Sequence, residues 1–129
     1  MKVEVAIGEV LDKLTILDIK LDKISDPLRR DSISKEKQVL KDALKENDIA
    51  LDIDLYNELR SINMKIWDTE AGFRKKESQK CFDDEFIKYA RLNAQYNDER
   101  FLAKKRINIH YNSSIQEEKS YDFLYGTNN

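Results

Sequence analysis

The stretch from Phe82 to Tyr111 contains no glycine and no proline, and its side chains recur with the period of an α-helix. At about 100° per residue, Phe86, Tyr89, Ala90, Ala94, Phe101, Ile107 and Tyr111 share one side. Lys88, Arg91, Asp98, Lys105 and Arg106 occupy the other, as on an ordinary amphipathic helix. A second pattern is superposed on the first. Asn93, Asn97, Arg100, Lys104 and Asn108 fall inside the apolar sector, close to its centre line. Burying such groups without partners costs roughly 1–3 kcal/mol each, and more for the charges. The helix therefore demands either a wet or ligand-filled seam or a tightly specified polar network.

A helix this long needs something to pack on, and the preceding residues supply it. The spacing predicts a helix from Asp52 or Asp54 to Ser78, with Leu55, Leu59, Ile62, Ile66 and Phe73 as its seam. A short turn separates it from the next helix, which starts near Phe82-Asp83 with Asp83 as N-cap and Phe82 as staple residue. Two long helices joined this way form an antiparallel hairpin. With the turn centred on Lys80, Asn63 lies opposite Asn97, Trp67 opposite Asn93, Glu70 opposite Ala90, and Arg74 near Phe86. The polar stripes of the two helices would then meet inside the hairpin, beside Trp67. Gly72 weakens the earlier helix by about 1 kcal/mol relative to alanine.

Two further helices are expected upstream. One runs from about Gly8 to Ser25, where Val10, Leu14, Leu17, Leu21 and Ile24 keep a coiled-coil-like spacing. It ends at Ser25-Asp26-Pro27, because the residue before proline avoids the α region. A weaker one covers roughly Ser34 to Asn47, with Val39, Leu40 and Leu44 as contacts. Lys2 to Ala6 alternate as a short extended lead-in. Ser114-Ile-Gln-Glu117 matches a capping box that could open a short last helix through Tyr121. The expected fold is all-α: a long hairpin packed with one or two N-terminal helices, bundle-like, in one domain over residues 1–125, with 126–129 a frayed tail.

Composition narrows the function. Charged residues make up 37% of the 129, yet the net charge is only −2, so nothing pushes the whole chain towards a nucleic acid polymer or a membrane surface. The basic triplets Arg74-Lys75-Lys76 and Lys104-Lys105-Arg106 spread over several helix faces. No apolar run approaches the roughly 20 residues needed to span a bilayer, and no signal-peptide core is present. The single Cys81 cannot make an intrachain disulfide, which suits a reducing cytoplasm. Neither Cys81 nor the single His110 has the company that catalysis needs, and no Cys/His cluster suggests a metal or other cofactor.

The site expected from the residues is the polar stripe with its neighbours: Asn63, Trp67, Arg74, Asn97, Arg100, Lys104 and Asn108, joined by Lys13 and Lys20 from the first helix. Arginine offers a planar fork to phosphate or carboxylate, and lysine a movable point charge. Asparagine reads a base or sugar edge with donor and acceptor together, and Trp67, Tyr89, Tyr96 and Tyr111 could stack on a planar group or fill the core. This points to non-catalytic binding, with sequestration as one outcome, of a small anionic ligand such as a nucleotide or nucleotide sugar. The first alternative is a helical assembly or adaptor module for a larger enzyme, with the stripe as its register device. Long helices with few short partners also suggest a homo-oligomer. The second alternative is a nucleotide hydrolase with magnesium held by Glu70, Glu77 or Asp98. It is disfavoured because these acids do not converge on one stripe.

The segments GEVLDKLTILDIKLDKI, NMKIWDTE with Arg74, FDDEFIKYARLNAQYNDERFLAKKRIN and SSIQEEKSY resemble, in order and spacing, a small uncharacterised all-helical family of bacterial and phage proteins, some beside polysaccharide-biosynthesis functions. The resemblance covers most of the chain except roughly residues 26–55 and implies no activity. It places Glu9, Asp12, Lys13, Lys20, Asn63, Trp67, Glu70, Arg74, Asn97, Asp98, Arg100, Lys104, Asn108, Glu118, Lys119 and Tyr121 at motif positions. Ile66 stands where the pattern has leucine. Ala71-Gly72 replaces an acidic position, which weakens any carboxylate-pair chemistry.

Overall fold

A computed structural model describes residues 1–115, 117 and 118. Four helices follow in order: α1 (Ile7–Lys23), α2 (Pro27–Glu46), α3 (Ile53–Ser78) and α4 (Asp84–His110). Helices α3 and α4 form the long antiparallel hairpin. α1 lies across its root and touches α3, α4 and α2, while α2 covers the outer side of α1. The architecture is the all-α bundle expected from the sequence.

The hairpin register follows from side chains. Phe73 stacks on Phe86 with ring centroids 4.8 Å apart. A Cβ on Gly72 would lie 2.5 Å from the Tyr89 ring. The Lys65 ammonium sits 5.7 Å from the centre of the Tyr96 ring, and Arg106 pairs with Glu58. These pairs are nearly equidistant from Lys80, as a turn centred there requires. Lys80 itself has φ 52°, and the Cys81 N–H donates to the Lys76 carbonyl. That bond with a left-handed residue is the Schellman ending of a helix. α2 and α4 end the same way, with Asp48 and Asn112 in the left-handed region and bonds from Ile49 to Leu44 and from Ser113 to Asn108.

The helix starts are capped by three aspartates. Asp26, Asp52 and Asp83 accept N–H bonds from Leu28, Leu55 and Phe86, respectively. Asp26 corrects one sequence expectation. With Pro27 at the first helical position, where its missing N–H costs nothing, α2 begins at Pro27 rather than near Ser34. The proline that ends one helix also starts the next.

The core gathers at the root, where Leu11, Leu14, Leu44, Tyr56, Leu59, Ile62, Ala103 and Ile107 form one cluster. Three expected positions shift. Val39 is exposed, and α2 turns Ile33 inward beside the expected Leu44. On α1 the fully buried aliphatics include Leu11 and Ile19 besides Leu17, a wider arc than a heptad seam, because α1 meets three other helices. Asp98, read as part of the solvent face, is buried. The last helix expected over Ser114–Tyr121 does not start at its cap, since Ser114, Ile115, Glu117 and Glu118 are not helical. Its remainder, like Lys119, Tyr121 and the tail 126–129, lies outside the described residues.

Beyond the root the hairpin continues as a two-helix arm. From residue 64 to residue 97 only Thr69 is buried. The arm extends about 20 Å at the rise of an α-helix. Among the described residues no helix is long and apolar enough to cross a membrane.

Candidate functional site

The last part of the α4 polar stripe, Arg100, Lys104 and Asn108, meets α1 at the root. α1 opens at Ala6, whose side chain cannot cap, leaving the first backbone N–H groups of the helix without local partners. The chain caps them from the far end: Asn108 Oδ1 accepts the Gly8 N–H at 2.7 Å and Ser113 Oγ accepts the Ile7 N–H at 3.2 Å. Gly8 must be glycine for this approach, because a Cβ there would come within 2.8 Å of both Asn108 Oδ1 and the Lys104 carbonyl oxygen.

One turn further along α1, Asp12 is 3% exposed and forms the centre of the network. The Arg100 fork closes on it, with Nε donating to Oδ1 at 2.9 Å and Nη2 to Oδ2. The bond it donates to Asp12 chiefly, with the charges of Asp12, Glu9 and Glu117, raises the Arg100 guanidinium above its ordinary range and outweighs burial. Asn63 of α3 donates to Asp12 Oδ1 at 2.9 Å and to Thr15 Oγ1 at 2.7 Å. Lys104, 7% exposed, reaches Glu9 at 2.6 Å and Glu117 at 3.3 Å. No buried side-chain nitrogen or oxygen among the described residues lacks a partner.

A groove of about 800 Å³ runs between α1 and α2 beside this network, with Glu9, Asp12, Lys13, Lys20, Glu36 and Arg100 as its charged lining and Val10, Ile16, Leu17 and Leu40 among its apolar walls. Lys13 pairs with Glu36 at 2.8 Å across the opening, both well exposed. Lys20 has no carboxylate partner among the described residues. Arg100 holds Asp12 through Nε and Nη2, which leaves the Nη1 donors of this groove-lining residue for a further acceptor.

The structure thus separates the expected site residues. Asn63, Arg100, Lys104 and Asn108 converge at the root with α1, and Lys13, Lys20 and Arg100 line the groove. Trp67, Arg74 and Asn97 do not join them. Asn97 Nδ2 bonds the Asn93 carbonyl of its own helix at 2.8 Å. Arg74 pairs with Glu70 at 2.7 Å on the arm surface, and Trp67 is half-buried there. Among the described residues no hydrogen bond joins Asn63 to Asn97; Asn63 of α3 and Arg100 of α4 meet instead at an acid contributed by α1. Glu9 and Asp12 belong in the site on the same footing as the cations. The resemblance already placed both at motif positions; the residue signal for Asp12 is its i, i+3 spacing with Thr15, inside the arc from Leu11 to Ile19.

The acids weighed for magnesium are dispersed: Glu70 is held by Arg74, Glu77 is exposed near the tip, and Asp98 is buried at the root. Among the described residues no group of three His, Cys, Asp or Glu side chains could hold a metal ion. His110 lies at the surface 3.7 Å from Asp52. At the arm tip Cys81 neighbours Asp83, whose carboxyl is lowered to about 2 by the hydrogen bond from Lys76 and then by the Phe86 N–H.

The sequence of residues 1–128 matches one family throughout. The chain belongs to DUF6165, a family of unknown function. An uncharacterised family is also what the resemblance implied. Comparison with curated proteins and with solved structures gives no match. In this DUF6165 protein, the reading of the groove rests on its own residues.

Proposed function

We propose that this DUF6165 protein binds a small polar ligand with an anionic group, of the nucleotide or nucleotide-sugar class, in the groove between α1 and α2, and holds it without converting it. The observation that carries the proposal is the meeting of Lys13, Lys20 and Arg100 along one open groove, from helices far apart in the chain. The Lys13–Glu36 pair is exposed, so opening it costs at most about 1 kcal/mol, whereas the Arg100 fork is held on a buried carboxylate, Asp12, and stays shut. A ligand anion would take Lys13, Lys20 and the spare donors of Arg100, and its hydroxyls would face Glu9 and Glu36. With acids and bases balanced along the groove, a single anionic group and several hydrogen-bonding groups fit better than a polyphosphate. Each groove carboxylate is engaged by a lysine or arginine of the chain: Glu9 by Lys104, Asp12 by Arg100, and Glu36 by Lys13. That supports holding over general-base chemistry. The expected setting is cytoplasmic, in bacteria or their phages, with polysaccharide precursors among the first ligands to try.

The test is a thermal-shift screen against nucleotides, nucleotide sugars and sugar phosphates. A ligand at a hundredfold excess over its Kd adds about 2.7 kcal/mol of stability. The shift should disappear in Lys13→Ala/Lys20→Ala, which leaves the buried network intact. No shift with any compound would remove the proposal.

A specific observation favours assembly as a second reading, with another copy of this chain as the partner. The arm leaves Phe82 and Ile87 exposed. Basic residues end its α3 (Lys75, Lys76) and acidic residues begin its α4 (Asp84, Glu85). Lys76 is already engaged by Asp83 and Glu85 of its own tip, but two arms side by side, α3 against α4, would bring Lys75 of one towards Asp84 of the other. Light scattering of the native protein and of Ile87→Glu decides this, since a monomer in both excludes it.

A further inference from the structure

A second cavity lies on the other flank of α2, and nothing in the motif segments points to it. It has a volume of about 360 Å³ between α1, α2 and the start of α3. Its floor is apolar, made by Leu14, Leu44, Ile49 and Leu51. Its rim carries Lys37, Lys41 and Lys45, one helical turn apart on α2, with Asp18 and Tyr56 opposite. Asp18 is the one acid in the lining, and it is already committed. Lys37 reaches it at 2.5 Å and the Tyr56 hydroxyl donates to it. Burial would raise the Asp18 carboxyl, but bonds from Lys37 and Tyr56, with the charges of Lys37 and Arg60, hold it below the ordinary carboxylate range. Lys41 and Lys45 have no carboxylate partner among the described residues. Leu51, at the edge of the floor, remains 44% exposed.

An apolar floor beneath unpaired cations is complementary to a molecule with an apolar body and a negative head. We infer that this cavity binds a free single-chain amphiphilic anion, an alkyl carboxylate of medium length, with its chain on Leu44, Ile49 and Leu51 and its head between Lys41 and Lys45. The volume lies in the range of small-ligand pockets and suits one chain of about ten carbons rather than a bulky polar molecule. Nothing in this site overlaps the lysines of the α1–α2 groove.

Calorimetric titration with decanoate, kept below its micelle concentration, tests the inference. One molecule per chain should bind saturably, more weakly as salt rises. Lys41→Glu/Lys45→Glu should weaken binding about tenfold or more, as should Leu51→Glu. All these side chains are exposed, so unchanged melting of the variants reports an intact fold. Lys13→Ala/Lys20→Ala should bind decanoate like the native chain, which separates this site from the groove. Equal affinity for decyltrimethylammonium, for inorganic phosphate, or for the charge-reversed variant would overturn the inference. So would binding to phosphatidylglycerol vesicles without binding to free decanoate.

Discussion

The root and the arm of the hairpin are built from the same two helices, yet they obey different rules. At the root, α1 crosses both helices and buries Leu59, Ile62, Phe101 and Ile107 together with Asp12, Asn63, Asp98, Lys104 and Asn108. In the arm the same periodicity continues, but its aromatic residues are only half-covered, and Arg74 and Asn97 satisfy themselves within their own helices. A polar group in a helix seam therefore means two things in one molecule. Where a third helix covers it, the group must find a partner across the interface. Where none does, water and the nearest turn suffice.

The contrast should be largest for the buried acid. Asp12→Ala leaves Arg100 without its carboxylate and Asn63 short of an acceptor. It should cost about 3–5 kcal/mol in urea unfolding, as loss of one partner of a buried pair does. Glu70→Ala, which removes the equivalent partner of Arg74 on the arm, should cost no more than about 0.5 kcal/mol. Similar losses for both would erase the distinction between root and arm.

The two interhelical glycines sharpen it further. A Cβ at Gly8 meets the Lys104 backbone carbonyl, which cannot move without shifting α4, whereas at Gly72 its nearest neighbours are atoms of the Tyr89 ring. Gly8→Ala should destabilise by about 1–3 kcal/mol. At Gly72 the strain should be relieved by rotation of Tyr89 and offset by about 1 kcal/mol of helix propensity, leaving a change near zero. Thermal unfolding of the two variants ranks them directly.

At the arm tip, Lys80 occupies the left-handed region that glycine enters without strain. Lys80→Gly should therefore stabilise the hairpin by about 1 kcal/mol. The gain should appear as slower amide exchange around Cys81, with little change at the root.

Titration is the finest comparison. Burial, followed by the bond to Asp18, raises the Tyr56 hydroxyl well above its ordinary 10.0. Its contribution is complete below pH 10 and disappears as pH rises through the elevated folded value. Asp18 is lowered from 3.8, so its contribution is present above that value and is lost as pH falls through the depressed one. Asp83 on the arm behaves like Asp18, losing its part between 3.8 and about 2. Tyrosinate absorbance should show Tyr56 titrating last, with Tyr89 also late because the Glu85 charge and hydrogen bond raise it. Tyr56→Phe should abolish that last step and leave the acid limb of the arm unchanged.

How far the sequence could be read follows the same division. Helical period, the aspartate caps at Asp52 and Asp83 and the turn at Lys80 are local properties of neighbouring residues, so the α3–α4 hairpin and its register were legible from the chain alone. So was the inward position of Asn63, Lys104 and Asn108, because polar residues inside an apolar sector declare themselves. The start of α2 was missed because Pro27 carries two local meanings and only one was taken. The partners of the stripe were not legible. Arg100 and Asp12 are 88 residues apart, and no periodicity within either helix says which helix will cross which, or at what height. Whether Asn108 caps a helix, or Lys37 and Lys41 overhang a cavity, is decided by where α1 lies across the hairpin. Local sequence sets the elements through backbone and side-chain geometry that each residue carries with it. Desolvation chooses the partners, and it acts only once the helices have come together.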